Sequence, residues 1–201
     1  MSRSLEYNGA LTREKFLFYE IRVVAELLDD GLDREKIREK IFSENLFQFP
    51  TEREFYSILR TCFKRIDALD APELIGLLAH GPADMARQIN LYAMMRYNLL
   101  VWDFMVTVVG EKYRTQDLEL TNRDINMFLV RLREQNDTIA EWSDTTVAKV
   151  RQVLRKCLIE CGYLDDARDT QLNTFVPYNE LVDAIKNNSD PDALAAFNYF
   201  E

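Results

Sequence analysis

Apolar residues recur every three or four positions over most of this chain, and that spacing is typical of amphipathic helices. TREKFLFYEIRVVAELLDDG predicts a helix from about Thr12 that ends at Gly31. LDREKIREKIFSEN predicts a second with Asp33 as a candidate N-cap, and a third begins after Thr51, another candidate N-cap. RDINMFLVRLREQ predicts another near 121–135, with Thr121 as its N-cap, and SDTTVAKVRQVLRKCLIECGYL predicts one at 145–161. Only 6 Gly and 5 Pro interrupt the 201 residues, so we predict a mainly all-α fold.

The most apolar segment is YAMMRYNLLVWDFMVTVVG, residues 92–110. Its β-forming residues leave helix and strand open as alternatives. Its length approaches that of a membrane span, but Arg96, Asn98 and Asp103 interrupt it, and charges are costly in the bilayer interior. We therefore favour a buried central segment and predict no membrane partner.

The polar segment RTQDLELT, residues 114–121, predicts a boundary between two domains. The N-terminal helical domain, 1–114, contains a candidate helix-turn-helix at about 33–69. The C-terminal domain, 115–201, contains in this order a long helix, a short helix, a turn, a third helix and a β-prone segment at 169–176. This order is typical of a winged helix-turn-helix. The expected architecture is a helical bundle with winged helix-turn-helix-like modules and at most a small β-hairpin wing.

Charge distinguishes the helix at 145–161 from the rest of the chain. The chain has a formal net charge of −9, yet Thr145–Ile159 contains four cations and no carboxylate. A helical projection separates these cations from an apolar side. The third helix of such modules enters the major groove, with its N-terminal groups near phosphates. The candidate residues for binding double-stranded DNA are Ser143, Thr145, Thr146, Lys149, Arg151, Gln152, Arg155 and Lys156.

A second candidate DNA-binding face follows from a faint internal repeat. Shifting the sequence by 95 positions aligns Thr51 with Thr146 and Leu59-Arg60 with Leu154-Arg155. Two amphipathic helices often align this well by chance, so a duplicated module stays one of two alternatives. The cations of this second face are Arg53, Arg60, Lys64 and Arg65.

Residues for chemistry are scarce in the sequence. The three cysteines lack the spacing of a disulfide framework, and we expect a reduced, cytoplasmic protein without a metal site. The single histidine, His80, is placed at a helix C-terminus, where a polar or cationic side chain is favourable. No Gly-rich phosphate loop or Ser/His/Asp set is present. We predict a protein that is not an enzyme and has no cofactor or small-molecule substrate.

Three stretches together carry a resemblance to a known family: SENLFQFPTEREFYSILRTCFKRI, YNLLVWDFMVTVVGEKY and WSDTTVAKVRQVLRKCLIECGYL. Over roughly residues 11–177 the chain resembles the BrxA family of bacteriophage-exclusion (BREX) defence systems. The resemblance implies a small, all-helical, non-enzymatic component of a system whose other members methylate host DNA and block phage replication. It also implies DNA binding, and other BREX defence proteins as partners. Some members have been labelled membrane proteins, but Arg96 and Asp103 speak against that here.

Two alternatives to DNA binding stay open. The basic helix could dock on an acidic surface of another defence protein, which would make this chain an assembly adaptor. The family has also been likened to RNA-binding antitermination factors, which leaves RNA as a ligand. RNA is disfavoured because the aromatic residues lie mostly on apolar faces rather than among the cations.

Overall fold

The computed structural model describes Tyr7 and residues 9–12, 15–174 and 176–200. Helices make up the regular structure of these residues and no strand is formed, which confirms the all-α prediction. The chain divides into two compact units, one formed by 16–97 and the other by 98–201 with the described residues before 16. The boundary predicted at 114–115 lies within the second unit, at the end of a helix that packs against residues 191–197.

The first unit consists of five α-helices. α3 packs mainly against α5, and α1 packs mainly against α4, which a 3₁₀ turn at Pro72–Leu74 precedes. The helix bounds are α1 Phe18–Asp29, α2 Arg34–Ser43, α3 Glu52–Leu69, α4 Ile75–His80 and α5 Ala83–Tyr97.

The predicted caps of α2 and α3 are present. Asp33 accepts a hydrogen bond from the Lys36 backbone N–H at 2.9 Å, and Thr51 Oγ1 accepts one from the Glu54 backbone N–H at 3.3 Å. The predicted start of the first helix was wrong, because α1 begins at Phe18 rather than near Thr12. Leu17 adopts a left-handed conformation with a φ of 55°, which a continuous right-handed helix cannot accommodate.

The described residues of the second unit form six α-helices, and the first two of these join into one helical path through a π-helical turn, Met105–Val109. The bounds are α6 Leu99–Phe104, α7 Gly110–Thr115, α8 Asn122–Gln135, α9 Asp137–Ala140, α10 Asp144–Glu160 and α11 Asn179–Asn187. A 3₁₀ helix, Pro191–Phe197, follows α11.

The apolar segment 92–110 is therefore helical, apart from a break at Asn98, and the strand alternative is excluded. Asn98 starts α6 as its N-cap, since its side-chain oxygen accepts from the backbone N–H groups of Leu100 and Val101. Within the described parts of the chain, no helix combines the length and apolarity that crossing a membrane requires.

A close backbone approach joins α7 to the 3₁₀ helix at 191–197. A Cβ atom at Gly110 would lie 2.9 Å from the Ala195 Cβ and 3.1 Å from its carbonyl carbon. Only glycine permits this approach without a shift of the neighbouring backbone. The C-terminal 3₁₀ helix is thus part of the core of the second unit, with Phe197 fully buried.

The predicted β-hairpin wing at 169–176 is not formed by the described residues of that segment. Gln171 instead makes an isolated antiparallel bridge with Glu119. The Leu120 N–H donates to the Thr170 carbonyl at 2.7 Å, and the Leu172 N–H donates to the Leu118 carbonyl at 2.8 Å. The backbone donors and acceptors of 170–172 are therefore used by the segment that precedes α8, rather than by a second strand of their own.

α8 begins with the predicted Thr121 cap, and Asp124 completes a capping box. The Asp124 carboxylate accepts from the Thr121 backbone N–H at 2.7 Å and from the Thr121 hydroxyl at 2.6 Å. Partial burial raises the pKa of Asp124, but these hydrogen bonds and the nearby Lys112 ammonium lower it below its ordinary value overall.

We expect Asp124→Ala to lower the free energy of unfolding by about 0.5–2 kcal/mol at pH 7. Because the folded-state pKa is depressed, this stabilisation is present above the unfolded-state pKa of about 3.9 and is lost as pH falls through the folded-state pKa. Urea unfolding of the wild type and the variant at pH 7 and near pH 3 measures the difference in unfolding free energy at each pH. Glu134→Ala, an exposed change on the same helix, should be nearly neutral at both. If Asp124→Ala lowered the free energy of unfolding by the same amount at both pH values, this account would be contradicted.

Candidate nucleic-acid interface

Ser143 caps the N-terminus of α10, and two of the three hydroxyl groups that were predicted to bind DNA there contact each other. Ser143 Oγ accepts from the Thr146 backbone N–H at 3.2 Å, and the hydroxyls of Ser143 and Thr146 are 3.0 Å apart. Thr145 is exposed. Asp144 occupies the first helical position, with 98% of its side chain exposed and Arg133 Nη1 3.5 Å from its carboxylate. A carboxylate at this position repels phosphate, and it directly precedes the stretch 145–159 that contains no carboxylate.

Three predicted side chains of α10 lie on its exposed face. Lys149, Gln152 and Lys156 are exposed, and their spacing of three and then four residues places them on one side of the helix. The ammonium group of Lys156 lies 3.3 Å from Glu160 Oε1, and this partly exposed pair has a small energetic value. No described residue forms an ion pair or hydrogen bond with Lys149.

Arg151 connects the basic helix to α8. Its Nη1 donates to Asn126 Oδ1 at 3.0 Å, and the side chain is partly exposed. Because Asn126 is neutral, this contact orients the guanidinium without cancelling its charge. Sequence reasoning missed Asn126, since the two residues are 25 positions apart and only the packing of α8 against α10 brings them together.

The prediction that Arg155 lies on the open cationic face was wrong. Arg155 is only 9% exposed. Its Nε donates to the Ala167 carbonyl at 3.0 Å, and its Nη2 donates to the Asp169 carbonyl. In the helical projection Arg155 flanks the apolar side, and the loop after α10 covers that flank. The residue therefore holds the loop on the helix.

That loop also brings carboxylates close to the basic helix. Between Ser143 and Asp169 the sequence contains five cations and five carboxylates. Two of the three loop carboxylates accept from backbone N–H groups: Asp166 Oδ1 from those of Arg168 and Asp169, and Asp169 Oδ1 from that of Gln171. The third, Asp165 Oδ1, accepts from Asn173 Nδ2 at 2.8 Å. The hydrogen bond from Gln171 is the main cause of the lowered pKa of Asp169. The basic face is accordingly local, with negative charge on its border.

A cleft of about 370 Å³ runs along the inner edge of this face. Its walls include Arg151, Gln152, Arg155 and Lys156 of α10, Asn122 at the start of α8 and Ala167 of the loop. Three of the four cations between 145 and 159 thus line one concavity. Lys149 is not among its lining residues.

On α3, the second candidate face is reduced to three cations. Arg53, Arg60 and Lys64 are exposed, and Lys64 Nζ lies 5.9 Å from the centre of the Tyr97 ring. Arg65 is 0% exposed, so its assignment to the surface was wrong. Its Nη1 donates to the Phe16 carbonyl at 2.7 Å, and Asn90 Nδ2 donates to the same oxygen at 2.8 Å.

Exposed aromatic residues beside α3 were not singled out from the sequence. Phe42 is 46% exposed and Tyr56 is 43% exposed, and their rings stack with centroids 6.3 Å apart. A cavity of about 150 Å³ lies next to Phe42, between Phe49 and Phe55. The signal available in the sequence was Tyr56, which falls outside the apolar stripe of α3.

The described residues contain no group of three or more His, Cys, Asp or Glu side chains that could hold a metal ion. All three cysteines are buried thiols, and burial raises the pKa of Cys62 to about 12, so it stays protonated at neutral pH. His80 Nε2 lies 3.3 Å from Asp29 Oδ2 at the half-exposed end of α4.

Comparison with known proteins agrees with this helical arrangement. A family model described as BrxA matches residues 5–189. A protein of Bacillus cereus (strain H3081.97) named BREX protein BrxA is 32% identical over 168 residues, which cover 84% of each chain. A protein of the same name from Escherichia coli O9:H4 (strain HS) is 29% identical and covers 82% of this chain and 76% of its own. The crystal structure of an uncharacterized protein from Magnetospirillum magneticum superposes with a TM-score of 0.79 at 22% identity, covering 95% of this chain and 97% of that one. That similarity shows a shared fold.

Proposed function

Because this chain belongs to the BrxA family, we propose that it is a cytoplasmic, non-enzymatic component of BREX phage defence that binds double-stranded DNA through α10. Other BREX proteins are its expected partners, as the names of its relatives suggest. The proposal needs no cofactor and no small-molecule substrate.

The observation that carries the proposal is the exposed row of Lys149, Gln152 and Lys156 on a helix whose other side is buried. Lysine ammonium groups in such a row can follow the phosphates of one strand, and the glutamine amide can donate to and accept from a base edge. The helix order α8, α9, α10 supports this assignment, because three residues separate α9 from α10, as in a helix-turn-helix.

The charges around α10 limit how strong this binding is. Lys149, Arg151 and Lys156 are the cations with exposed surface, while Asp144 and Glu160 flank them. We therefore expect about three phosphate contacts and a log–log slope of affinity against salt near −3, at about −0.9 per contact. Fluorescence anisotropy of a labelled duplex across a salt series measures the slope. A single-stranded RNA of equal length tests the antitermination-like alternative. Affinity that is independent of salt, or tighter binding of the RNA, would overturn the proposal.

A second candidate function, protein–protein adaptor, is favoured by the exposed pair of Phe42 and Tyr56 beside a small cavity. Exposed aromatic residues next to a concavity are typical of the centres of protein interfaces. Pull-down of the BREX proteins with and without nuclease separates the two functions. Partners that survive nuclease treatment and are lost in Phe42→Ser with Tyr56→Ser would identify an adaptor.

A further inference from the structure

The cleft beside α10 contains a buried cationic group that the loop satisfies only in part. Arg155 uses Nε and Nη2 on the carbonyl groups of Ala167 and Asp169, whereas Nη1 has no hydrogen-bond partner among the described residues. A buried donor without an acceptor costs about 1–3 kcal/mol, and more when it belongs to a charged group. An acceptor at Nη1 would therefore be favourable.

No carboxylate of the described chain pairs with Arg155. The positive charge of Arg155 contributes to the lowered pKa of Asp169. The Asp169 carboxylate, however, accepts hydrogen bonds from the backbone N–H groups of Gln171 and Asp165. The Arg155 guanidinium thus has hydrogen bonds to two carbonyl groups and no direct ion pair, with the Asp169 carboxylate as a nearby negative charge. A buried cation without a direct ion pair favours the entry of an anion.

The other cations of the cleft add to this preference. Arg151 and Lys156 both line it, so three positive charges from two consecutive turns of α10 lie around one concavity. Arg151 is held by neutral Asn126, while Lys156 keeps more than half of its side chain exposed beside Glu160. Guanidinium groups match the oxygens of phosphate, and a phosphoryl group presents more acceptor oxygens and more negative charge than a carboxylate.

We infer that this cleft seats a single phosphoryl group, with an oxygen on Arg155 Nη1 and with Arg151 and Lys156 at its rim. Nη1 has almost no exposed surface, so neighbouring side chains must shift for the anion to reach it. The phosphoryl group comes either from the backbone of a bound duplex, which rests on the proposed function, or from a free phosphorylated ligand, which does not.

The test uses the full chain and inorganic phosphate, with acetate at equal ionic strength as the control anion. The Nε–H signal of Arg155 in a ¹⁵N-correlated NMR spectrum is assigned from its disappearance in Arg155→Lys. We expect phosphate to shift this signal saturably and acetate to leave it unchanged. Gln152→Glu places a carboxylate in the cleft wall without touching Arg155, and should weaken phosphate binding at least roughly tenfold. Gln135→Glu, the same change at an exposed position on α8, should not.

The outcomes separate this inference from the proposed function. A phosphate shift that duplex DNA abolishes assigns the cleft to a backbone phosphate, and a shift that persists with duplex bound assigns it to a free ligand. A saturable shift in a protein that does not bind duplex would support the cleft and overturn the DNA proposal. The absence of a saturable shift, an equal shift with acetate, or equal affinity in Gln152→Glu would overturn the cleft even where duplex binding is intact.

Discussion

Changing Lys149 and Lys156 together to Glu is expected to weaken duplex binding by roughly 10- to 100-fold at low salt, and to reduce the steepness of the salt dependence by about two phosphate contacts. Both side chains are exposed on the outer face of α10, and among the described residues their only ion pair is that of Lys156 with the partly exposed Glu160. The two substitutions therefore reverse charge without removing packing. Anisotropy titrations at several salt concentrations measure both effects.

A matched control is available on α2. Lys36→Glu with Lys40→Glu changes the net charge by the same amount, at positions outside the proposed interface. If binding depends only on the net charge of the chain, which starts at −9, the two variants will lose affinity equally. Equal losses, or an unchanged salt slope in the α10 variant, would remove α10 from the interface. Circular dichroism checks that both variants remain folded.

Arg65→Ala is expected to lower the free energy of unfolding by about 3–5 kcal/mol, because it removes a fully buried partner and leaves a large void. Arg65 is 0% exposed, and its Nη1 donates to the Phe16 carbonyl at 2.7 Å. Asn90 donates to the same oxygen at 2.8 Å, so the substitution disrupts a buried polar network that joins α3 and α5 to the residues before α1. Urea unfolding followed by circular dichroism measures the change.

Two neighbours on the same helix provide the comparison. Arg60 and Lys64 are exposed, and alanine at either position should change stability by less than about 0.5 kcal/mol. If α3 contributes a second DNA-binding face, alanine at Arg60 or Lys64 should weaken DNA binding more than alanine at Arg65. Only the exposed cations can reach a phosphate. A cost for Arg65→Ala as small as that for Arg60→Ala would contradict the buried assignment.

The faint internal repeat can be compared with the burial and capping of the residues that it aligns. The shift of 95 positions aligns Cys62 with Cys157, and both are buried. It also aligns Arg60 with Arg155, of which the first is exposed and the second is buried. The aligned Thr51 caps α3, whereas Thr146 lies inside α10, whose cap is Ser143. The apolar stripes therefore correspond, while the caps and the surroundings of the cations do not.

The sequence alone determined the helices and many of their ends. Apolar spacing predicted the all-α class, and Asp33, Thr51 and Thr121 cap helices at the predicted starts, because a cap needs only its own next three residues. It also identified the exposed cations at the centre of α10, since the outer side of a helix is fixed by the positions of its buried residues.

Only the tertiary structure decided which flanking residues are covered. Arg155 and Arg65 occupy the edges of apolar stripes, where burial depends on whether another segment lies on that edge. The loop at 165–170 covers one, and the segment at Phe16 contacts the other. The same long-range pairing placed residues 170–172 against 118–120 instead of in a hairpin. Local spacing cannot encode these outcomes, because each depends on the free energy of contacts between residues far apart in the chain.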